Sequence, residues 1–261
     1  MGHFTASIFS EALGFNTHLE ILFPRGQAYA PAQKVLYLLH GLSDNCTAWL
    51  HKTRISEYAN KNNYIVIMPE VQRSFYSDMA HGSKYFTYIT RELPEICEKV
   101  FNLKHKRETT FVAGLSMGGF GAIKCGLGRP DFYAACASFS GALDMKTRVD
   151  GVKQTGENPF PELAAILGVN FDYPDDSDLF YLANAAVKLP VRPQVLITCG
   201  DGDFLLEDNL RFNAHMQAID YGHTYKQWPG EHTWDFWEDC LPLAFNFFEG
   251  NCLSNKSGDA I

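Results

Sequence analysis

Short apolar runs alternate with longer stretches of helical period along most of the chain. Val35–Leu39 (VLYLL) and Tyr64–Met68 (YIVIM) are continuous apolar runs, the pattern of strands covered on both faces. Thr109–Ala113, Tyr133–Phe139 and Gln194–Cys199 (QVLITC) read as further strands, with His223–Trp228 as the last. Thr17–Phe23 (THLEILF) reads as an early antiparallel strand. Between them Ala48–Lys61, Ser83–Phe101, Met117–Leu127, Glu207–Tyr221 and Trp234–Phe248 carry helical patterns. Pro94 should kink or divide the second of these, and Gly128-Arg129-Pro130 and Gly222 close the third and fourth. The alternation predicts an α/β fold: a mostly parallel central sheet with helices on both faces.

One stretch breaks the pattern. Residues 144–190 are rich in Asp, Asn and Pro and offer two short helices, Glu162–Leu167 and Asp178–Val187, but no strand. An excursion between two strands of a parallel sheet emerges at one end of the sheet, and ligands bind at the carboxyl ends. We therefore expect a small cap insertion, with Phe160, Phe171, Tyr173, Phe180 and Tyr181 available to shape a pocket. A length of 261 residues suits one large domain, here 1–250, followed by a small polar tail over 251–261.

Charge and cysteine content narrow the partners. A net charge of −8 disfavours nucleic acid and anionic membrane surfaces, which would repel the chain. No apolar run approaches the roughly 20 residues of a membrane span. The N-terminal MGHFTASIFSEALG lacks the basic and apolar regions of a secretion signal. Seven cysteines without a CxxC pair read as reduced, mostly buried thiols, so a cytoplasmic setting without a disulfide framework or a metal site is expected.

Gly114-Leu115-Ser116-Met117-Gly118 matches G-x-S-x-G, and it stands between a strand and a helix. That setting is what a nucleophile elbow requires. A serine at the tip of so sharp a turn is backbone-strained, and glycines two residues to either side remove side chains that would collide. The helix beginning at Met117 turns free N–H groups and its positive end toward developing negative charge.

A serine hydroxyl needs a base, and the order that accompanies such an elbow is Ser, then Asp or Glu, then His, each after a strand. His215 falls within a helix and His223 starts a strand, whereas His232 sits between the last strand and the last helix, so His232 is the base. The acid should follow QVLITC, where Gly200-Asp201-Gly202-Asp203-Phe204 offers two aspartates. Asp203 lies further into the loop, followed by Phe204-Leu205 to anchor it, and is preferred to Asp201, which would only stabilise the turn. The loop His40-Gly41-Leu42 after VLYLL supplies the second oxyanion donor, the N–H of Leu42, as partner to that of Met117. His40 itself is expected to set the loop by hydrogen bonding.

LLHGLSDNCTAW, RSFYSDMAHGSKYFTYITRELP, AGLSMGGFGA, CGDGDF and GEHTWDFW together resemble the esterase D branch of the α/β-hydrolases, over residues 1–250 and most weakly across 144–190. Within that branch they are most similar to bacterial acetyl and tributyrin esterases. The resemblance implies an α/β-hydrolase fold and a serine carboxylesterase acting on short acyl esters, including acetylated sugars or cinnamoyl esters. It implies no metal or other cofactor and a homo-oligomer, and it supports Asp203 and Leu42 in the roles above. S-formylglutathione hydrolases and mycolyltransferases are relatives. The former carry an Asp-His-Ser-Tyr-like segment where this chain has Glu231-His232-Thr233-Trp234, which places a thioesterase second. A hydrolase fold reduced to a binding module would lack a triad member, and all three are present here.

Overall fold

The computed structural model describes residues 1–25, 34–158 and 160–250. Among the described residues, eight strands form one sheet: β1 (Gly2–Ser10), β2 (Phe15–Phe23), β3 (Lys34–Leu39), β4 (Tyr64–Pro69), β5 (Thr110–Leu115), β6 (Ala135–Phe139), β7 (Gln194–Gly200) and β8 (Thr224–Trp228). Their order is β1-β2-β4-β3-β5-β6-β7-β8; β2 is antiparallel to both β1 and β4, and every other pair is parallel. The central runs are apolar throughout because both faces are covered. Val35, Tyr37 and Leu39 join one core with Phe120 and Ile123, while Leu36 and Leu38 join another with Trp49, Ile55 and Phe245.

Helices α1 (Ala48–Lys52), α2 (Ile55–Asn62) and α10 (Trp234–Phe248) supply the second core. The first is supplied by α3 (Tyr85–Thr87), α4 (Leu93–Phe101), α5 (Met117–Gly128), α6 (Met145–Thr155), α7 (Glu162–Leu167), α8 (Leu179–Ala186) and α9 (Leu206–Ala218). Among the described residues, no helix is long and apolar enough to cross a membrane. The six cysteines described are all free and buried. The polar tail 251–261 lies outside the described residues.

Four elements differ in detail from the expectation. The single helix over 48–61 is two helices: Thr53 is extended, and its hydroxyl donates to the Trp49 carbonyl at 2.5 Å, ending the first. Pro94 does divide the helix over 83–101, but by a π-helical turn at Tyr88–Glu92, which widens the backbone just ahead of the ring. Strand β1 was not expected, because this outer strand leaves Phe4 and Phe9 in solvent and has no apolar run to betray it. The excursion also contains α6, whose Met145, Val149 and Val152 are buried at helical spacing behind an Asp144 cap on the Thr147 N–H.

Helix α5 carries a charge into the core. Lys124 is 1% exposed, and its ammonium donates to Ser77 Oγ at 3.1 Å and Ser177 Oγ at 2.8 Å. It also lies 4.8 Å from the centre of the Phe86 ring. Lys124 thus ties α5 to the loop after β4 and to the excursion. Burial pulls its pKa down to about 8, against the attraction of Asp176, Cys125 and Asp78. An unfolded lysine titrates near ~10.4. Below its folded pKa the native state bears the whole cost of a buried charge; above it the native state releases the proton first, and the cost fades. Relative to Lys124→Met, the native sequence should therefore gain about 2–3 kcal/mol of stability between about pH 7 and 10. Urea midpoints of both proteins read this, and parallel profiles would contradict it.

Candidate active site

The turn between β5 and α5 holds Ser116 at φ 54°, ψ −116°, a conformation that is costly for any residue with a Cβ. The flanking glycines are required by contact. A Cβ on Gly114 would stand 2.4 Å from the Gly118 carbonyl oxygen, and one on Gly118 would stand 2.4 Å from that of Leu39. The Ser116 N–H is bonded to the Phe139 carbonyl at 2.9 Å, which fixes the turn to β6.

Ser116 Oγ lies 3.0 Å from His232 Nε2. His232 Nδ1 lies 2.8 Å and 3.0 Å from the two carboxylate oxygens of Asp203. A carboxylate accepts only, so it places the imidazole proton on Nδ1 and leaves Nε2 to accept from serine. Burial raises the Asp203 pKa, but the hydrogen bonds from His232 and from the Leu205 N–H outweigh it and hold the carboxyl below its ordinary range. Asp201 stays exposed at the turn and accepts the Gly230 N–H at 3.3 Å. The two aspartates of GDGDF are thus separated by burial.

Phe204 does not anchor Asp203. It is 73% exposed, with its ring 4.4 Å from that of His232, so it shields the imidazole from the solvent side. Leu205 is the buried neighbour, and the Trp237 ring meets the imidazole edge-on at 4.9 Å.

The Leu42 loop is tied from several directions. His40 Nδ1 donates to the Gly41 carbonyl at 2.8 Å, and the Val71 N–H donates to His40 Nε2 at 3.2 Å. Tyr76 Oη donates to the His40 carbonyl at 2.9 Å, and Trp49 Nε1 donates to that of Leu39 at 3.1 Å. His40 thus has the supporting position expected for it. Met117, as first residue of α5, has an N–H without an intrahelical acceptor.

A cavity of about 410 Å³ opens over Ser116 and is lined by Leu42, Met117 and His232 together with Phe75, Met145, Arg148, Phe160, Phe204, Trp234 and Trp237. Of the five excursion aromatics, Phe160 alone lines it; Phe171, Tyr173 and Phe180 pack on the core, and Tyr181 is exposed. Phe75 was not singled out from sequence. It sits in a loop where Gln72, Phe75 and Tyr76 all have positive φ, and its ring meets Phe120 at 6.2 Å and Phe160 at 6.3 Å. Positive φ at non-glycine residues leaves no local sequence signal. Gly121 gives room for the Tyr76 ring, since a Cβ there would fall 2.4 Å from it.

A strained serine at a strand–helix turn, followed in space by histidine and a buried carboxylate, on a mostly parallel eight-stranded sheet, defines a serine hydrolase of the α/β-hydrolase class. The chain belongs to the Esterase family, which it matches over residues 10–248. It is 31% identical to the acetyl esterase of Caldicellulosiruptor saccharolyticus over 230 residues, 82% of each protein. Two solved Staphylococcus aureus structures share 31% identity and cover 95% of this chain and 98% of theirs. One is fluorophosphonate-binding serine hydrolase F, at a TM-score of 0.85. The other is an S-formylglutathione hydrolase, at 0.82. The protein is a serine ester hydrolase, and the resemblance to the esterase D branch holds.

Proposed function

We propose that the protein is a carboxylesterase that cleaves short-chain acyl esters through an acyl-enzyme on Ser116. The contact of 3.0 Å between Ser116 Oγ and His232 Nε2, beneath the cavity, carries this reading. Ser116 Oγ attacks the ester carbonyl as His232 Nε2 takes its proton. The tetrahedral oxyanion accepts from the N–H groups of Leu42 and Met117. His232 then gives the proton to the departing alkoxide, and water enters by the same route to release the acid and restore Ser116. Asp203 holds the imidazole tautomer and offsets its positive charge. Residues 1–250 act as one catalytic unit in this reading, and residues 144–190 serve as its cap through Met145, Arg148 and Phe160.

An open groove gains about 0.8 kcal/mol for each buried methylene, so its kcat/KM climbs with acyl length. Aromatic walls around a short pocket reverse this. Against p-nitrophenyl esters from acetyl to octanoyl, kcat/KM should fall beyond butyryl. Phe160→Ala should move the optimum to longer chains, and Tyr181→Ala should not. A steady rise to octanoyl overturns the short pocket.

Thioester cleavage is a second reading, supported by the S-formylglutathione hydrolase neighbour at 31% identity. The same triad chemistry applies, and including S-formylglutathione in the assay separates the two.

A further inference from the structure

The cavity wall carries a charge that the triad does not use. Asp44 stands two residues beyond Leu42 and lines the cavity. A Cβ on Gly41 would lie 2.8 Å from Asp44 Oδ2 and 3.7 Å from Ser116 Cβ, so carboxylate and nucleophile flank the same glycine. Asp44 takes part in no ion pair among the described residues. Burial pushes its carboxyl above the usual range, against the pull of His40, the Gly41 N–H, Lys52 and His232.

The arginine that lines the same cavity, Arg148, is already engaged. Arg148 on α6 grips both oxygens of Asp208, and Arg211 reaches Asp208 and Asp144, so two cations there meet two anions. Asp44 is left as the carboxylate of the cavity wall without an ion-pair partner among the described residues. It lines the same cavity as His232, past which the alcohol or thiol must leave.

We propose that Asp44 selects substrates by the charge of the departing alcohol or thiol, admitting uncharged and cationic groups and disfavouring anionic ones. This rests on Ser116 and His232 acting as described above. Two unit charges about 7 Å apart in a half-open cavity change kcat/KM by up to roughly tenfold, in opposite directions for cation and anion, so their ratio by between about tenfold and about a hundredfold. S-formylglutathione, with two carboxylates against one ammonium, should then be a poorer substrate than an uncharged thioester of the same acyl group.

The test uses three acetyl thioesters with the same acyl group and leaving atom: acetylthiocholine (cationic), S-acetyl-2-mercaptoethanol (uncharged) and S-acetyl-3-mercaptopropionate (anionic). Each is assayed at mildly alkaline pH and low salt with the native enzyme, Asp44→Asn, Asp44→Glu and Asp201→Asn. Comparing variant with native for each ester cancels the thiols' own reactivities. Asp44→Asn should lower the cation-to-anion ratio of kcat/KM by at least about tenfold, whereas Asp44→Glu and Asp201→Asn should preserve it. High salt should shrink the native ratio, a readout independent of whether any variant folds. An unchanged ratio in folded Asp44→Asn, or a native ratio indifferent to salt, overturns the proposal. Hydrolysis persisting in Ser116→Ala would instead overturn the assignment of the nucleophile, so the two failures are distinguishable.

Discussion

Ser116→Ala should lower kcat by about a million-fold while leaving the fold intact, the scale seen when a serine protease loses its nucleophile. The Ser116 hydroxyl meets His232 Nε2, and nothing in the core depends on that bond. Alanine keeps the Cβ and therefore keeps the strain at φ 54°, so stability should be almost unchanged. Ser116→Gly makes a useful companion. It should be equally inactive yet more stable by about 1 kcal/mol, because glycine accepts positive φ without penalty. Unfolding midpoints beside kcat separate lost chemistry from released strain. A Ser116→Ala enzyme within about tenfold of native activity would remove the serine from the mechanism.

Asp203→Asn should lower kcat by about ten-thousand-fold, as the equivalent change does in a serine protease. The amide is the same size, and its oxygen can still accept the Leu205 N–H. Its NH₂, turned toward Nδ1, would donate where the carboxylate accepted. The imidazole proton then moves to Nε2, and the atom facing Ser116 can no longer act as base. Asp201→Asn is the matched control, since its carboxylate is exposed and holds the Gly230 N–H at the turn. Its effect should be on the order of twofold, as for an exposed substitution. A larger loss from Asp201→Asn than from Asp203→Asn would reverse the assignment of the acid.

The sheet centre was legible because β3 and β4 are buried on both faces, which writes an unbroken apolar run into the chain. The elbow was legible because its backbone tolerates only glycine at 114 and 118. His232 stood out by position, between the last strand and the last helix. The choice between Asp201 and Asp203 was harder, since both follow the same strand, and burial and the bond to His232 divide them only in the fold. Strand β1 escaped because an edge strand can leave Phe4 and Phe9 in water. Helix α6 did carry an amphipathic signal at Met145, Val149 and Val152, obscured by the polar residues around it. The cavity walls were least legible. Phe75 reaches the site through backbone conformations that its sequence does not announce, and Phe204 turned outward over the imidazole rather than inward. The excursion aromatics divided in the same way, with Phe160 at the cavity and Phe171, Tyr173 and Phe180 serving the core.

Ser116, activated by His232, is the residue expected to become acylated. A fluorophosphonate probe phosphonylates such a serine and stays attached, so labelling the intact protein and mapping its peptides by mass spectrometry identifies the nucleophile. One probe per chain is expected, on the peptide containing Ser116, with labelling abolished in Ser116→Ala and greatly slowed in His232→Ala. Stoichiometric labelling at any other residue, or equal labelling of Ser116→Ala, would contradict it.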